Sequence, residues 1–314
     1  MTQRRIAFVT GGAGFIGSNI VAKLAEDRDL DVVVCDRLRE AELGKWRNIA
    51  KHPIGDFVAP EDMFAWLEKN RVGLSAIYHM GAISSTVERD VDLILQTNVI
   101  LSMRLWQWCA TNKIRFIYAS SAATYGDGAQ GFEDNGELSY LNTLQPLNAY
   151  GWSKHLFDRY VASELAAGRA IPPQWAGLKF FNVYGPNEYH KGWQKSVATQ
   201  FAPAAIKGEA VKLFKSLRPE YPDGGQQRDF IYVKDCADVM TWLYENPQVS
   251  GLFNVGTGQA RNFAELAQAL FSAAGTKPNI EYVDMPAALA PQYQYFTESS
   301  MGRLRLSWVP RVRA

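Results

Sequence analysis

Cysteine is scarce in this sequence, and what there is lies scattered. Cys35, Cys109 and Cys236 sit singly in apolar stretches. That spacing argues against a disulfide framework or a cysteine-built metal site and fits reduced core residues. The four histidines, at 52, 79, 155 and 190, show no metal-ligand spacing. No metal is therefore expected. Net charge is almost absent, a formal +1 over 314 residues. Nothing electrostatic points to nucleic acid or a membrane surface as a partner. No apolar run approaches the length of a membrane span, and no repeat or low-complexity tract is present. The opening Met1-Thr2-Gln3-Arg4-Arg5 leads straight into a strand the fold needs, so it does not read as a cleavable signal peptide. Together these absences describe a cytoplasmic protein.

Apolar content is ample at 47%, enough for one large α/β domain or two lobes. The chain is organised around its first motif, Ile6-Ala7-Phe8-Val9-Thr10-Gly11-Gly12-Ala13-Gly14-Phe15-Ile16-Gly17. It reads as strand, tight turn and helix start. Gly11, Gly14 and Gly17 permit a sharp turn, close approach of a diphosphate and close helix packing. A pyrophosphate would sit on the free N–H groups and positive dipole end of that helix. A second strand, Val32-Val33-Val34-Cys35, ends in Asp36, where a ribose hydroxyl partner belongs. Asp36 favours NAD, while Arg37 beside it suits the 2′-phosphate of NADP. The reading leans to NADP, with NAD as the alternative.

Strands then alternate with helices. Ile54–Val58 is a short strand carrying Asp56 near the adenine, and a helix follows over Glu61–Asn70. Ala76–Ala82 is a strand ending in small residues beside the cofactor, with His79 a core residue. Val91–Trp108 is a helix holding Thr97 and Asn98, polar groups that need partners from the cofactor-side loops. Arg115–Ala119 is the next strand, and Tyr150 opens a helix to about Ala167. Leu178–Tyr184 reads as one further strand. Residues 187–228 turn rich in Lys, Gln, Pro and Gly before strand and helix return at Arg228–Asp235 and Gly251–Gly256. This alternation predicts a Rossmann-type, doubly wound parallel sheet with a smaller interleaved lobe. The cofactor domain is expected over 1–186 plus about 229–258, the substrate lobe over 187–228 plus 259–314.

Tyr150 and Lys154 lie four apart at a helix start and share a face. A nearby ammonium is expected to lower the phenol's pKa towards neutrality. Ser121, at the end of a neighbouring strand, is placed to hold a substrate alcohol against that oxygen. This is equipment for taking a proton from an alcohol while its hydride leaves for a nicotinamide.

Four stretches carry a resemblance to a known family. They are Thr10–Gly17, Ser120-Ser121-Ala122-Ala123-Thr124-Tyr125-Gly126, Tyr150-Gly151-Trp152-Ser153-Lys154 and Arg228-Asp229-Phe230-Ile231-Tyr232-Val233. They resemble the extended short-chain dehydrogenase/reductase family of nucleotide-sugar enzymes. Phe181-Asn182-Val183-Tyr184-Gly185-Pro186-Asn187-Glu188-Tyr189-His190-Lys191-Gly192 and Tyr293–Thr297 narrow the resemblance to its ADP-heptose 6-epimerases. The resemblance implies an isomerase of ADP-sugars, with bound NADP and two acid/base groups, Tyr150 and Lys191. It implies cofactor contacts at Phe15, Ile16, Asp36, Arg37, Met80, Gly81, Ala82, Ile83, Ser84, Lys154 and Val183, besides Lys191 and Asn98. Substrate contacts are implied at Ser121, Asn182, Phe214, Arg228 and Tyr293, and the assembly is expected to be a homo-oligomer. Arg228 suits a diphosphate, with an ion pair to Asp229 as the competing expectation.

Some positions depart from the family pattern. Trp193 and Gln200 replace a small hydroxyl residue and a histidine. Phe214-Lys215-Ser216-Leu217 replaces a more acidic turn, and residues around Arg218-Pro219-Glu220-Tyr221-Pro222 lengthen that loop. The chain stops soon after Trp308-Val309-Pro310, so the family's closing helix is expected to be absent or shortened. These departures leave the chemistry class intact and bear on the sugar. Ala122 and Ala123 count against a 4,6-dehydratase, which needs an acid pair there. A UDP-galactose-type 4-epimerase, a reductase and a non-catalytic dinucleotide sensor are the other readings.

Overall fold

The computed structural model describes residues 4–39, 41–287, 290 and 293–307. The segment around Trp308-Val309-Pro310, on which the expectation of a shortened closing helix rests, lies outside the described residues.

The first half of the chain alternates strand and helix. Its elements are β1 (Arg5–Thr10), α1 (Phe15–Leu24), β2 (Leu30–Cys35), β3 (Asp56–Val58), α2 (Met63–Asn70), β4 (Leu74–His79), α3 (Val91–Ile94), α4 (Leu101–Asn112), β5 (Arg115–Ser121), α5 (Leu138–Leu141), α6 (Ala149–Ala166) and β6 (Trp175–Phe180). A π-helical stretch, Leu95–Ile100, joins α3 to α4 without a break. The second half holds β7 (Asn182–Tyr184), α7 (Val197–Lys207), β8 (Val211–Phe214), β9 (Gln227–Tyr232), α8 (Val233–Glu245), β10 (Gly251–Val255), β11 (Ala260–Asn262), α9 (Phe263–Ala274), β12 (Ile280–Val283) and α10 (Gly302–Ser307).

Seven strands form one parallel sheet in the order β10-β6-β5-β4-β1-β2-β3. The chain runs outward from β1 to β3, then returns to β4 on the other side of β1. The sheet is doubly wound, and its switch point lies between β1 and β4. Alternation along β1 feeds two layers: Ala7 and Val9 face one core, Phe8 the other. Ile20 and Val21 of α1 and Met240 and Leu243 of α8 cover the first face. Leu67, Trp106, Phe157 and Val161 cover the second. Strands buried on both faces read as continuous apolar runs, which explains their visibility in sequence.

Two smaller sheets complete the fold. β9 pairs parallel with β7 and antiparallel with β11, while β8 pairs parallel with β12. A separate small core of Ala205, Val211, Leu213, Ala267 and Phe271 lies under α7 and α9. The expected single strand Leu178–Tyr184 is in fact two. Phe181 N–H bonds to Val255 O (3.1 Å) and Val183 N–H to Phe181 O (2.9 Å). That tight turn moves Asn182–Tyr184 out of the main sheet and onto β9.

Behind β5 and β6 lies a fully buried ion pair. Lys179 Nζ donates to Asp158 Oδ2 (2.8 Å) and Thr124 Oγ1 (2.7 Å), and lies 4.8 Å from the centre of the Tyr125 ring. Asp158 also accepts from Tyr118 and Ser120 (3.1 and 2.7 Å). Removing one partner strands the other's charge in the core. Asp158→Leu alone is expected to cost about 3–5 kcal/mol, and Asp158→Leu with Lys179→Met distinctly less. Urea unfolding of the parent and these two variants checks this; a double variant at least as destabilised as Asp158→Leu would contradict it.

Candidate active site

The glycine turn sits at the switch point, where a crevice opens at the carboxyl ends of β1 and β4. Gly11 has φ +65°, and a methyl group there would lie 2.6 Å from Gly81 Cα. A methyl on Gly17 would lie 2.1 Å from Gly11 O. Gly14 is the N-cap of α1 and provides no side-chain cap, and the first turn carries no acid. The opening N–H groups of α1 therefore keep their donors for another acceptor. An uncapped helix start reached over bare glycine backbone fits a dinucleotide diphosphate.

Asp36, nearly buried, closes over this turn. Its carboxylate accepts from Ala13 N–H (2.9 Å), Arg37 N–H (2.7 Å) and Lys45 Nζ (2.5 Å). Arg37 turns outward to Glu61 (2.6 Å), and that contact holds the Glu61 carboxyl below its usual range. Lys45 is thus the cation on Asp36, a residue that sequence reasoning left unassigned. Asp56 opens β3. It pairs with Val33, two residues short of the strand end, and its carboxylate takes the Trp66 indole N–H (2.7 Å).

The loop Met80–Ser84 is fixed from below. Met80 N–H bonds to Thr10 O (3.1 Å) and Gly81 N–H to Thr10 Oγ1 (3.1 Å). The hydrogen-bond directions fix the state of His79. Ser102 Oγ donates to Asn98 O (2.7 Å), so it accepts from His79 Nε2–H (2.9 Å). His79 Nδ1 then accepts from Thr10 Oγ1 (2.7 Å). Burial and the Lys154 cation push His79 down to about 3, keeping it neutral. Asn98 is buried, and its amide is bonded within the protein: its Oδ1 accepts from Ile83 N–H, and its Nδ2 donates to Ile83 O and Ser153 Oγ (2.9, 2.9 and 3.0 Å). It positions the cofactor-side loop against the helix that carries Tyr150.

Asn148 caps α6 by accepting from Gly151 N–H (2.9 Å), which sets Tyr150 in the first turn. Ser121 Oγ, which accepts from Ala123 N–H (3.1 Å), lies beside the Tyr150 hydroxyl and acts to lower its pKa. Burial nevertheless raises the Tyr150 pKa, contrary to the expected lowering by Lys154. The physical reason is that Lys154 Nζ donates to Ala119 O (2.8 Å), and its own pKa is pushed down to about 8 by burial.

Lys191 reaches the glycine turn from the short helical turn Tyr189–Gln194. Its Nζ lies 4.9 Å from the centre of the Phe15 ring and 4.0 Å from Glu188 Oε2. Burial lowers its pKa. The buried Asn48 amide links the two loops, donating to Ala13 O (2.9 Å) and His190 Nδ1 (3.2 Å). Val183 lies on β7 opposite Ile231, partly buried.

Arg228, Tyr293 and Phe214 form a second cluster. The Arg228 guanidinium is buried, bonds to Gln227 O (2.8 Å) and lies 5.3 Å from the Tyr293 ring centre. Tyr293 meets Phe214 edge-on at 6.3 Å. The Arg228–Asp229 ion pair does not form. Asp229 accepts instead from Thr257, Gly258 and Ser299. Adjacent strand residues point to opposite faces, so Arg228 faces the cluster and Asp229 the core. Asn182 is exposed and its Oδ1 accepts from Thr297 Oγ1 (3.4 Å).

The neutral His79 gives a pH test. In the unfolded chain it protonates near its ordinary 6.5, in the folded protein only near about 3. The unfolded state therefore binds more protons between those values, and stability falls as pH drops through that window. His155 and His190, both pushed to about 4 by burial, act in the same sense. His79→Gln removes one share of that loss. Its urea midpoint is expected to drop less than the parent's between about pH 7.5 and about pH 4.5; an equal drop would contradict a neutral buried His79.

Comparison with known proteins bears on this arrangement. Residues 7–256 match the NAD dependent epimerase/dehydratase family. The chain is 49% identical over 305 residues to ADP-L-glycero-D-manno-heptose-6-epimerase of Nitratidesulfovibrio vulgaris, covering 96% of this chain and 91% of the relative. Among solved structures it is similar to the Helicobacter pylori ADP-L-glycero-D-manno-heptose-6-epimerase, at 29% identity and TM-score 0.81, covering 99% and 92% of the two chains. It is also similar to a Thermus thermophilus UDP-glucose 4-epimerase in complex with NAD, at 28% identity and TM-score 0.73, covering 98% and 95%. With the doubly wound sheet, the glycine turn at its switch point and a match over most of its length, the chain belongs to the NAD dependent epimerase/dehydratase family, the extended short-chain dehydrogenase/reductases.

Proposed function

We propose that this chain converts ADP-D-glycero-D-manno-heptose to its L-glycero epimer, with a bound nicotinamide dinucleotide. The observation that supports this reading is a pair of buried proton-handling groups carried on separate elements, Tyr150 on α6 and Lys191 on the turn Tyr189–Gln194. Tyr150 stands beside Ser121, and Lys191 stands over Phe15 of the glycine turn.

When bound, the nicotinamide supplies reversible hydride acceptance. The protein's own groups handle the protons. Burial pushes the Lys191 pKa down and the Tyr150 pKa up, favouring the neutral form of each, as a group that trades protons with a substrate oxygen requires. In one direction Lys191 takes the proton of the side-chain alcohol. Once the resulting ketone has turned its other face, Tyr150 returns a proton to its oxygen from the opposite side. The reverse direction exchanges these roles. Ser121 orients the alcohol, and Lys154 is placed by Ala119 O on the cofactor side of α6. The lobe formed by 187–228 and 259–314 would bind the nucleotide sugar, with Arg228 on its diphosphate.

The cofactor is proposed to be NADP. Lys45 neutralises Asp36, so the acid no longer repels a 2′-phosphate. Lys45→Ala is expected to weaken NADP binding by tenfold or so, ~1.4 kcal/mol, and leave NAD binding little changed. Titration of the cofactor-free protein with both dinucleotides checks it; parallel losses would contradict the assignment.

Proton NMR of ADP-D-glycero-D-manno-heptose with purified protein and no added cofactor tests the activity. The 6-epimer is expected to accumulate; no conversion by protein loaded with NADP would overturn the reading. Lys191→Met and Tyr150→Phe are each expected to slow turnover about 10²–10⁴-fold while retaining cofactor. Near-normal turnover of Lys191→Met would remove it from the chemistry. Conversion of a UDP-hexose at its C4 in place of the heptose would favour the 4-epimerase reading.

A further inference from the structure

The loop after β8, where the sequence reading expects extra residues, is held together by its own hydrogen bonds. Ser216 N–H donates to Asp223 Oδ1 (2.8 Å), Gly224 N–H to Phe214 O (3.0 Å) and Tyr221 N–H to Arg218 O (3.2 Å). The loop is seated on the buried Tyr295. Leu217 N–H donates to the Tyr295 hydroxyl (2.9 Å), the Arg218 guanidinium lies 4.5 Å from the Tyr295 ring centre, and the Tyr221 ring lies 5.2 Å away.

Tyr295 meets Tyr293 edge-on at 5.4 Å, and Arg228 lies over Tyr293 at 5.3 Å. Tyr221 is close enough to act on the Arg228 charge. Two guanidinium groups therefore rest on two touching tyrosine rings. Among the described residues neither is within ion-pair distance of a carboxylate. The rings help hold each planar fork in place, and with Arg228 Nη1 bonded to Gln227 O, both guanidinium groups keep N–H donors for a further acceptor. Two such cations without counter-ions are matched by a group carrying two adjacent negative charges.

We infer that Arg218 and Tyr221 of this loop complete the diphosphate site of the nucleotide sugar, opposite Arg228. The inference rests on the reading above that Arg228 faces the nucleotide. Arg218 would act as a second guanidinium on the diphosphate, and the Tyr221 hydroxyl as a further donor. Neither touches the reacting carbon, so both determine affinity and nucleotide choice rather than the chemistry.

Calorimetric titration with ADP and with adenosine separates the possibilities. Arg218→Gln is expected to weaken ADP about tenfold and leave adenosine binding unchanged. In turnover it should raise KM far more than it lowers kcat. Arg218→Lys should recover part of the loss, since it keeps the charge and loses the fork. Arg218 is exposed, so a matching melting curve is expected. Three results would overturn the inference. In the first, Arg218→Gln binds ADP like the parent while Arg228→Gln binds it poorly, which leaves the reading of Arg228 standing. In the second, ADP and adenosine weaken equally, which assigns Arg218 to the base. In the third, the parent binds no ADP, which removes the reading of Arg228 as well.

Discussion

The structure depends on one close approach of backbone to backbone. Gly11 and Gly81 meet where the sheet order reverses, and a single methyl group on Gly11 would lie 2.6 Å from Gly81 Cα. Only a side chain of hydrogen lets the loops after β1 and β4 lie together and then diverge around a crevice. From that point a continuous line of hydrogen bonds leads to the catalytic candidates. It runs from Gly81 through Thr10, His79 and Ser102 to Asn98. Asn98 then reaches Ser153, which donates to Tyr150 O (2.7 Å). The turn that would hold the cofactor and the helix that carries Tyr150 are thus one hydrogen-bonded unit.

Burial sets the charge state of this unit more than any neighbouring charge does. His79 stays neutral, which preserves the donor and acceptor order of the line. Tyr150 is raised, and Lys154 and Lys191 are lowered, with burial the leading cause in each case. Charge that must persist is handled differently. Asp158 and Lys179 are paired and fully bonded behind the site, and Asp36 is balanced by Lys45.

Much of this was legible in the sequence, for physical reasons. Strands buried on both faces appear as unbroken apolar runs, and glycine marks close approach, so the doubly wound order and the first turn could be read directly. The break at Phe181 could not. The run Leu178–Val183 carries no punctuation, and its split depends on Val255 O, which is distant in sequence. The partner of Asp36 was hidden in the same way. Arg37 is adjacent in sequence, but Lys45, nine residues on, makes the bond. The expected effect of Lys154 on Tyr150 assumed that a shared helix face implies an interaction, and Ala119 O takes the ammonium instead. One signal was available and unused: alternation along β9 alone separates Arg228 from Asp229.

Transient oxidation makes one demand that no simple proton abstraction from carbon makes. The hydrogen on the epimerised carbon leaves as hydride and returns to the same carbon, while only oxygen-bound protons meet the buried acid/base groups and the solvent. The most direct measurement is therefore epimerisation of the ADP-heptose in deuterium oxide, with mass and NMR analysis of the product. The account predicts a product whose epimerised carbon carries no deuterium. Deuterium at that carbon in step with turnover would contradict it.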